Sequence, residues 1–259
     1  MTNKEHRTRA RQALENQWGR NAGITFLSIL ITGIIGGIFE SVADFPQGSI
    51  QDNILNFLIA TFLTFAFTAA MYYIALYVLR GGKAEPGMLF IAFQGKYYLP
   101  LLLINVARQV VGYLIGLLVY LPFLITAGTG FYFAMVFGNG VNNLSNSISI
   151  GDVTFAILLA VAAVLLLIVT MIFDGYFQFV VWAKLDFPQL KLGDGFRYGW
   201  RLIKGRFIQY LLLQLSFIGW YFLAMLTLGI GIFFVVPYQN VAVASLYDDA
   251  RQTMGDPLI

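Results

Sequence analysis

Six long apolar runs dominate this chain. They lie at about 24–39, 54–79, 99–126, 153–183, 207–226 and 232–246. A helix of about 20 residues crosses the hydrocarbon core of a bilayer. Inside lipid the backbone must satisfy its own hydrogen bonds, so runs of this kind become helices. Of 259 residues, 59% are hydrophobic and 11% are charged, against about 25% charged in a soluble domain. The expected fold is an all-α membrane protein with six transmembrane helices. One polytopic membrane domain spans 1–259, and residues 1–20 form a polar amphipathic arm before the first run. No cleavable signal peptide is expected, because those first residues are polar and no small-residue cleavage site follows the first run.

The basic residues fix an expected orientation. Fifteen of the sixteen Lys and Arg residues fall in the arm, in loops 80–99 and 184–206, or in the C-terminal tail. The sixteenth, Arg108, lies inside the third run, and the three intervening loops have none. Basic loops stay on the cytoplasmic side, so both termini are expected there.

Each outward-going helix is entered in the same way. An amphipathic stretch ends in Gly and a base, at Trp18-Gly19-Arg20, Gln94-Gly95-Lys96 and Lys204-Gly205-Arg206. Three hairpin repeats with cytoplasmic interfacial helices would produce this pattern. So would the general abundance of basic juxtamembrane anchors. Between 190 and 207, Leu192, Phe196, Trp200, Ile203 and Phe207 make an apolar stripe, with Arg197, Arg201 and Lys204 beside it and Asp194 as N-cap. Arg20, Lys96, Arg197, Arg201, Lys204 and Arg206 are the expected contacts to anionic headgroups.

Charged groups inside the runs are few. Arg108 lies roughly 14 Å along the third run from its cytoplasmic end, and Asp174 roughly 15 Å along the fourth. The two runs form an antiparallel hairpin, so the charges are expected to pair at matched depth. Asn105, Gln109 and Gly112/Gly116 share a face with Arg108, and Gln178 shares one with Asp174. Gln214, Gln239 and Asn240 fall at similar depth in the last two runs. Together these residues define a candidate intramembrane polar site. Two readings stand: a pair that fixes helix register, or an inner-half cavity that uses Arg108.

Several chemistries lack their residues. There are no cysteines, and His6 is the only histidine; in the polar arm it is read as solvated. No zinc ligand set, no serine–base pair at depth, no pair of intramembrane carboxylates and no phosphate loop is present. No enzyme activity, metal, cofactor or nucleic-acid partner is expected.

The stretch 173–249 carries Asp186-Phe187-Pro188, Lys204-Gly205, Leu215-Ser216-Phe217-Ile218-Gly219-Trp220, Gly229-Ile230-Gly231, Pro237-Tyr238 and Tyr247-Asp248-Asp249. The chain opens with Ala13-Leu14-Glu15-Asn16-Gln17-Trp18-Gly19. These residues resemble a bacterial integral membrane family catalogued as domain-of-unknown-function family 975. Phe187 departs from it where Asn is usual, and Arg197-Tyr198-Gly199-Trp200 stands where Ser-Arg-x-x-Met is usual. The organisation is more distantly similar to the membrane domain attached to some glycerophosphodiester phosphodiesterases. The resemblance implies a multi-pass protein of the bacterial plasma membrane and supplies no mechanism. One expectation is a small transporter or a lipid- or peptide-handling protein, including immunity to membrane-active peptides. The alternative is a scaffold that binds anionic lipid or a partner protein through its basic helices. A membrane protein partner or a homo-oligomer fits either.

Overall fold

The computed structural model describes residues 1–136 and 150–257. Half of the Gly- and Asn-rich loop after the third apolar run, 137–149, lies outside the described residues. The rest form two compact units, Met1–Ala107 with Gly175–Ile259, and Arg108–Asp174. All regular structure among the described residues is helical. Ten α-helices follow in order: α1 (Asn3–Leu14), α2 (Trp18–Ala43), α3 (Ile50–Ile59), α4 (Phe65–Leu79), α5 (Gly95–Val136), α6 (Ile150–Asp186), α7 (Leu192–Ile203), α8 (Phe207–Leu215), α9 (Ile218–Leu226) and α10 (Ile232–Met254). A π-turn over Ala60–Thr64 joins α3 to α4, and a 3-10 segment, Pro86–Phe93, precedes α5.

Five stretches are long and apolar enough to cross a membrane: Trp18–Ala43, Ile50–Leu79, Gly95–Leu118, Ala160–Asp186 and Phe207–Leu226. The sixth apolar run is also helical, as part of α10. Gln239, Asn240, Asp248 and Asp249 make α10 too polar to join those five.

The first unit is built around α10, which packs against α1, α2, α4, α7, α8 and α9. Its stretch Val241–Asp248 is buried without a break. Trp182 and Phe179 of α6 pack against Tyr247, with ring centroids 5.4 and 5.5 Å away. Trp182 Nε1 donates to the Tyr72 carbonyl at 2.8 Å, so a large buried ring keeps its one polar atom satisfied.

α1 begins with a capping box. The Thr2 hydroxyl accepts from the Glu5 amide, and the Glu5 carboxylate accepts from the Thr2 amide. Its buried side chains, His6, Ala10 and Leu14, recur every four residues. They face α10, α4 and α8. The apolar stripe of the amphipathic arm is thus packed on the protein itself. The reading of His6 as solvated is corrected, because its side chain is fully buried.

The repeated Gly–base entry has different local forms. At Lys204-Gly205-Arg206 the turn rests on Gly205, at φ +85°, where a Cβ would be strained. At the start of α2 the left-handed residue is Asn16, at φ 64°, and Gly19 lies inside the helix. Asp194 is in the first turn of α7, 3.6 Å from Arg197, and Lys191 holds the cap position.

The side of α7 that faces the protein is also displaced from the expected aromatic stripe. Gly195, Tyr198, Gly199, Leu202 and Ile203 are buried, while Trp200 is 47% exposed. Close approach decides this. A Cβ on Gly199 would lie 2.6 Å from Val180 Cγ2 and 3.1 Å from the Val180 backbone. Gly199→Leu should therefore cost about 1–3 kcal/mol through overpacking, read as a lower unfolding temperature. Gly193→Leu, on the open side of the same helix, should leave it unchanged. Equal unfolding temperatures for the two variants would count against tight α7–α6 packing.

Candidate functional site

Three polar arrangements stand out among the described residues. The first lies in the unit Arg108–Asp174. Arg108 donates from Nε and Nη2 to Asp174 Oδ1, at 2.9 and 2.8 Å. The two charges thus pair across the hairpin. Their side chains are 42% and 52% exposed, so neither charge is fully buried. Gln109 is half-buried in the same unit.

The other members of the sequence-derived set belong to the first unit. Asn105 Nδ2 donates to the Thr61 carbonyl at 3.2 Å, the carbonyl next to Ala60 at the start of the π-turn. Gln178 is buried and Asn240 half-buried. Gln214 and Gln239 do come together, in the second arrangement. Gln239 donates to the Gln214 carbonyl oxygen, and the Tyr221 hydroxyl donates to the Gln239 carbonyl oxygen. Gln214 Nε2 donates to the Tyr210 hydroxyl at 2.7 Å. This ladder ties α8 and α9 to α10 beside the interruption at Ser216–Phe217. Each amide here finds a partner within the chain, as buried polar groups require.

The third arrangement was not anticipated as a site. At the end of the first unit that holds both termini, Arg80 grips Asp186 with both guanidinium nitrogens, at 2.7 and 2.8 Å. It also reaches Asp248 at 3.2 and 3.3 Å. Arg9 donates to Asp248 at 2.8 Å, and Gln252 does so at 2.9 Å. Arg251 reaches Asp186 at 3.4 Å and Asp256 at 2.8 Å, and the Tyr247 hydroxyl donates to Asp186 at 3.1 Å. Burial opposes the charge on Arg80. The hydrogen bonds and charges of Asp186 and Asp248 outweigh that and hold its pKa above the usual arginine value. An open cleft of about 550 Å³ lies over these groups, lined by Arg9, Arg80, Asp248, Arg251, Gln252 and Asp256. Three arginines meet three aspartates here, so the network is neutral and each arginine is paired.

A family model described as a protein of unknown function, DUF975, matches residues 1–253. The chain belongs to this family. No curated protein and no solved structure matches it. In this DUF975 chain several of the residues that carried the resemblance gather in two places. Asp186, Tyr247 and Asp248 sit in the ion network. Trp18, Phe217 and Trp220 surround Tyr238, with ring centroids 5.7, 4.9 and 6.1 Å away. Arg11 of α1 reaches into that ring cluster, donating from Nε to the Tyr238 hydroxyl at 2.9 Å and lying 5.9 Å over the Trp220 ring. Both clusters use a cation from α1, Arg9 in one and Arg11 in the other. Their chemistry is that of a clasp between α1 and the rest of the unit.

The expected interfacial residues are on the surface. Arg197 is 85% exposed. Arg20, Lys96, Arg201 and Lys204 are exposed as well. Arg206 is half-buried, with Nη1 3.4 Å from the Leu202 carbonyl. Among the described residues no group of His, Cys, Asp and Glu side chains is placed to hold a metal ion.

Proposed function

We propose that this chain is a non-enzymatic scaffold of the bacterial plasma membrane that holds anionic lipid headgroups on the basic face of α7. In this reading α10 is the sixth crossing and both termini are cytoplasmic. The pairing of α1 with the last turns of α10, Met1 to Asp249 and Arg9 to Asp248, supports it, because an even number of crossings returns the chain to one side. The observation that carries the headgroup reading is the way α7 is held. Gly199 is pressed onto Val180 of α6, and Tyr198, Leu202 and Ile203 are buried beside it. Arg197, Arg201 and Lys204 are left outward on a fixed frame. Each base near an anionic leaflet contributes about 1 kcal/mol.

The test compares nanodiscs of phosphatidylglycerol and phosphatidylcholine, with retained lipid measured by native mass spectrometry. Changing Arg197, Arg201 and Lys204 together to Gln should weaken phosphatidylglycerol retention by about a hundredfold, from about 3 kcal/mol in total. Equal retention by wild type and variant would refute the headgroup role.

One set of observations favours the second reading, a transporter or a lipid- or peptide-handling protein. The α8–α9 helix is interrupted beside Gln214, Gln239 and Pro237, and a π-turn occurs at Ala60–Thr64. Interrupted helices and π-turns are frequent at membrane binding sites. The same spectra separate the readings, because a retained small molecule or peptide in place of lipid would favour this one.

A further inference from the structure

We infer that the outward face of the Arg108–Asp174 hairpin is the contact surface between two copies of this chain. The inference is independent of the headgroup reading and shares only its premise that the helices cross a membrane.

Arg108 lies thirteen residues into α5, counted from Gly95, and Asp174 lies twelve residues before the end of α6 at Asp186. At 1.5 Å per residue both are roughly 18–20 Å along their helices, well inside a hydrocarbon core about 30 Å thick. Ionisable groups at such depth face protein or water, because lipid solvates neither charge. Here the pair forms within one chain, yet about half of each side chain remains exposed. Within a membrane that exposed half would meet lipid unless protein covers it. Something further must cover it.

The helix surface beside the pair is shaped for close approach. Gly112 and Gly116 follow Arg108 at one and two turns along α5. A Cβ at either would meet nothing within 4 Å. On α6, Leu167 and Ala163 stand exposed about two and three turns outward of Asp174. One side of the face is thus recessed and the other raised.

A second copy fits this face by symmetry. Identical chains inserted with the same topology carry both charges at the same depth. A two-fold axis along the membrane normal exchanges left and right on the face. It therefore sets Arg108 of one copy opposite Asp174 of the other, and the reverse, closing a ring of four alternating charges. The same rotation lays α5 of each copy against α6 of the other, so Leu167 and Ala163 approach the recess at Gly112 and Gly116. An isologous contact of this kind needs a patch complementary to itself, and a plus–minus pair side by side is one. An unrelated partner would have to bring a matching pair of charges at the same depth.

The test measures oligomeric state in lipid vesicles by single-molecule photobleaching of singly labelled chains. Wild type should be a dimer. Arg108→Asp leaves two carboxylates on the face, and Asp174→Arg leaves two guanidinium groups. Each alone should lose the dimer. Mixed, the two variants should pair with one another and not with themselves. A second route avoids any change of charge. Gly112→Leu with Gly116→Leu meets open space within the chain, so the protein should fold and insert normally while its dimer dissociation constant rises at least tenfold. If the charge variants fail to fold, the glycine variant decides the matter alone. Wild type that is monomeric, or that is found only with a different protein on this face, overturns the inference. So does a dimer that the two leucines leave unweakened.

Discussion

Asp248→Ala should lower the unfolding temperature by roughly 6–12 °C, from a loss of about 3 kcal/mol. The Asp248 side chain is 6% exposed and accepts from Arg9, Arg80 and Gln252. Removing it leaves two guanidinium groups facing each other with their shared counter-charge gone. Uncompensated buried charge is costly, typically about 3–5 kcal/mol. Arg9 and Arg80 are each about one-third exposed, which places the estimate at the lower end. Arg80 keeps Asp186, so the unit should remain folded and measurable. The group most weakened should be α1, which loses Arg9 as an anchor. A double-mutant cycle isolates the effect. With Asp248→Ala in place, Arg9→Met should cost much less than it does in wild type, because its partner has already gone. Thermal unfolding in detergent, with amide exchange over α1, reads both quantities. If Asp248→Ala stays within about 0.5 kcal/mol of wild type, as for an exposed surface pair, then water screens the network and it does not act as a clasp.

The positions of the helices were legible because hydropathy and helix period are local properties of a sequence. The Arg108–Asp174 pair was legible for a related reason: two helices joined in a hairpin place residues at equal distances from their ends side by side. The ion network was not legible. Arg80 finds Asp186 and Asp248 at separations of 106 and 168 residues, and no spacing rule connects them. As a sequence, Arg80 reads as one more base in a loop, and Tyr247-Asp248-Asp249 as a polar ending. The available signal was the presence of Asp186 and Asp248 among the family-like residues, at the ends of two apolar runs. In α7 the period was right but the facing was not, because Gly199 permits an approach to Val180 that the larger aromatic stripe does not. The Arg108 environment shows what hairpin arithmetic omits: it sets the depth of a residue but not which side of the helix pair it faces.

Lowering the pH from 7 to 4 should loosen α1 from the body of the first unit, and His6 should account for most of the change. Burial is the main cause that pushes the His6 pKa down, from 6.5 to about 4. The Asp249 and Glu5 charges oppose this, while the N-terminal amine and Arg9 add to it. The geometry supplies the reason. Gln209 Nε2 donates to the Met1 carbonyl at 2.7 Å and faces His6 Nε2 at 3.1 Å. An amide nitrogen only donates, so His6 Nε2 accepts and the ring proton sits on Nδ1, 3.0 Å from Ser245 Oγ. Protonation would set one N–H against another. Turning the amide over would abandon Met1. The docked state therefore prefers neutral His6, while the released helix exposes a ring of pKa about 6.5. Between pH 6.5 and about 4 the released state binds the extra proton. Docking is thus at full strength above pH 6.5 and weakens as the pH falls through that window, by on the order of 3 kcal/mol in all. His6→Gln keeps a donor and an acceptor without the titration. Amide exchange across α1, followed against pH, should rise steeply for wild type and more gently for the variant. The same acid dependence in both would assign the loosening to the aspartates around Arg80, and His6 would then be a packing residue.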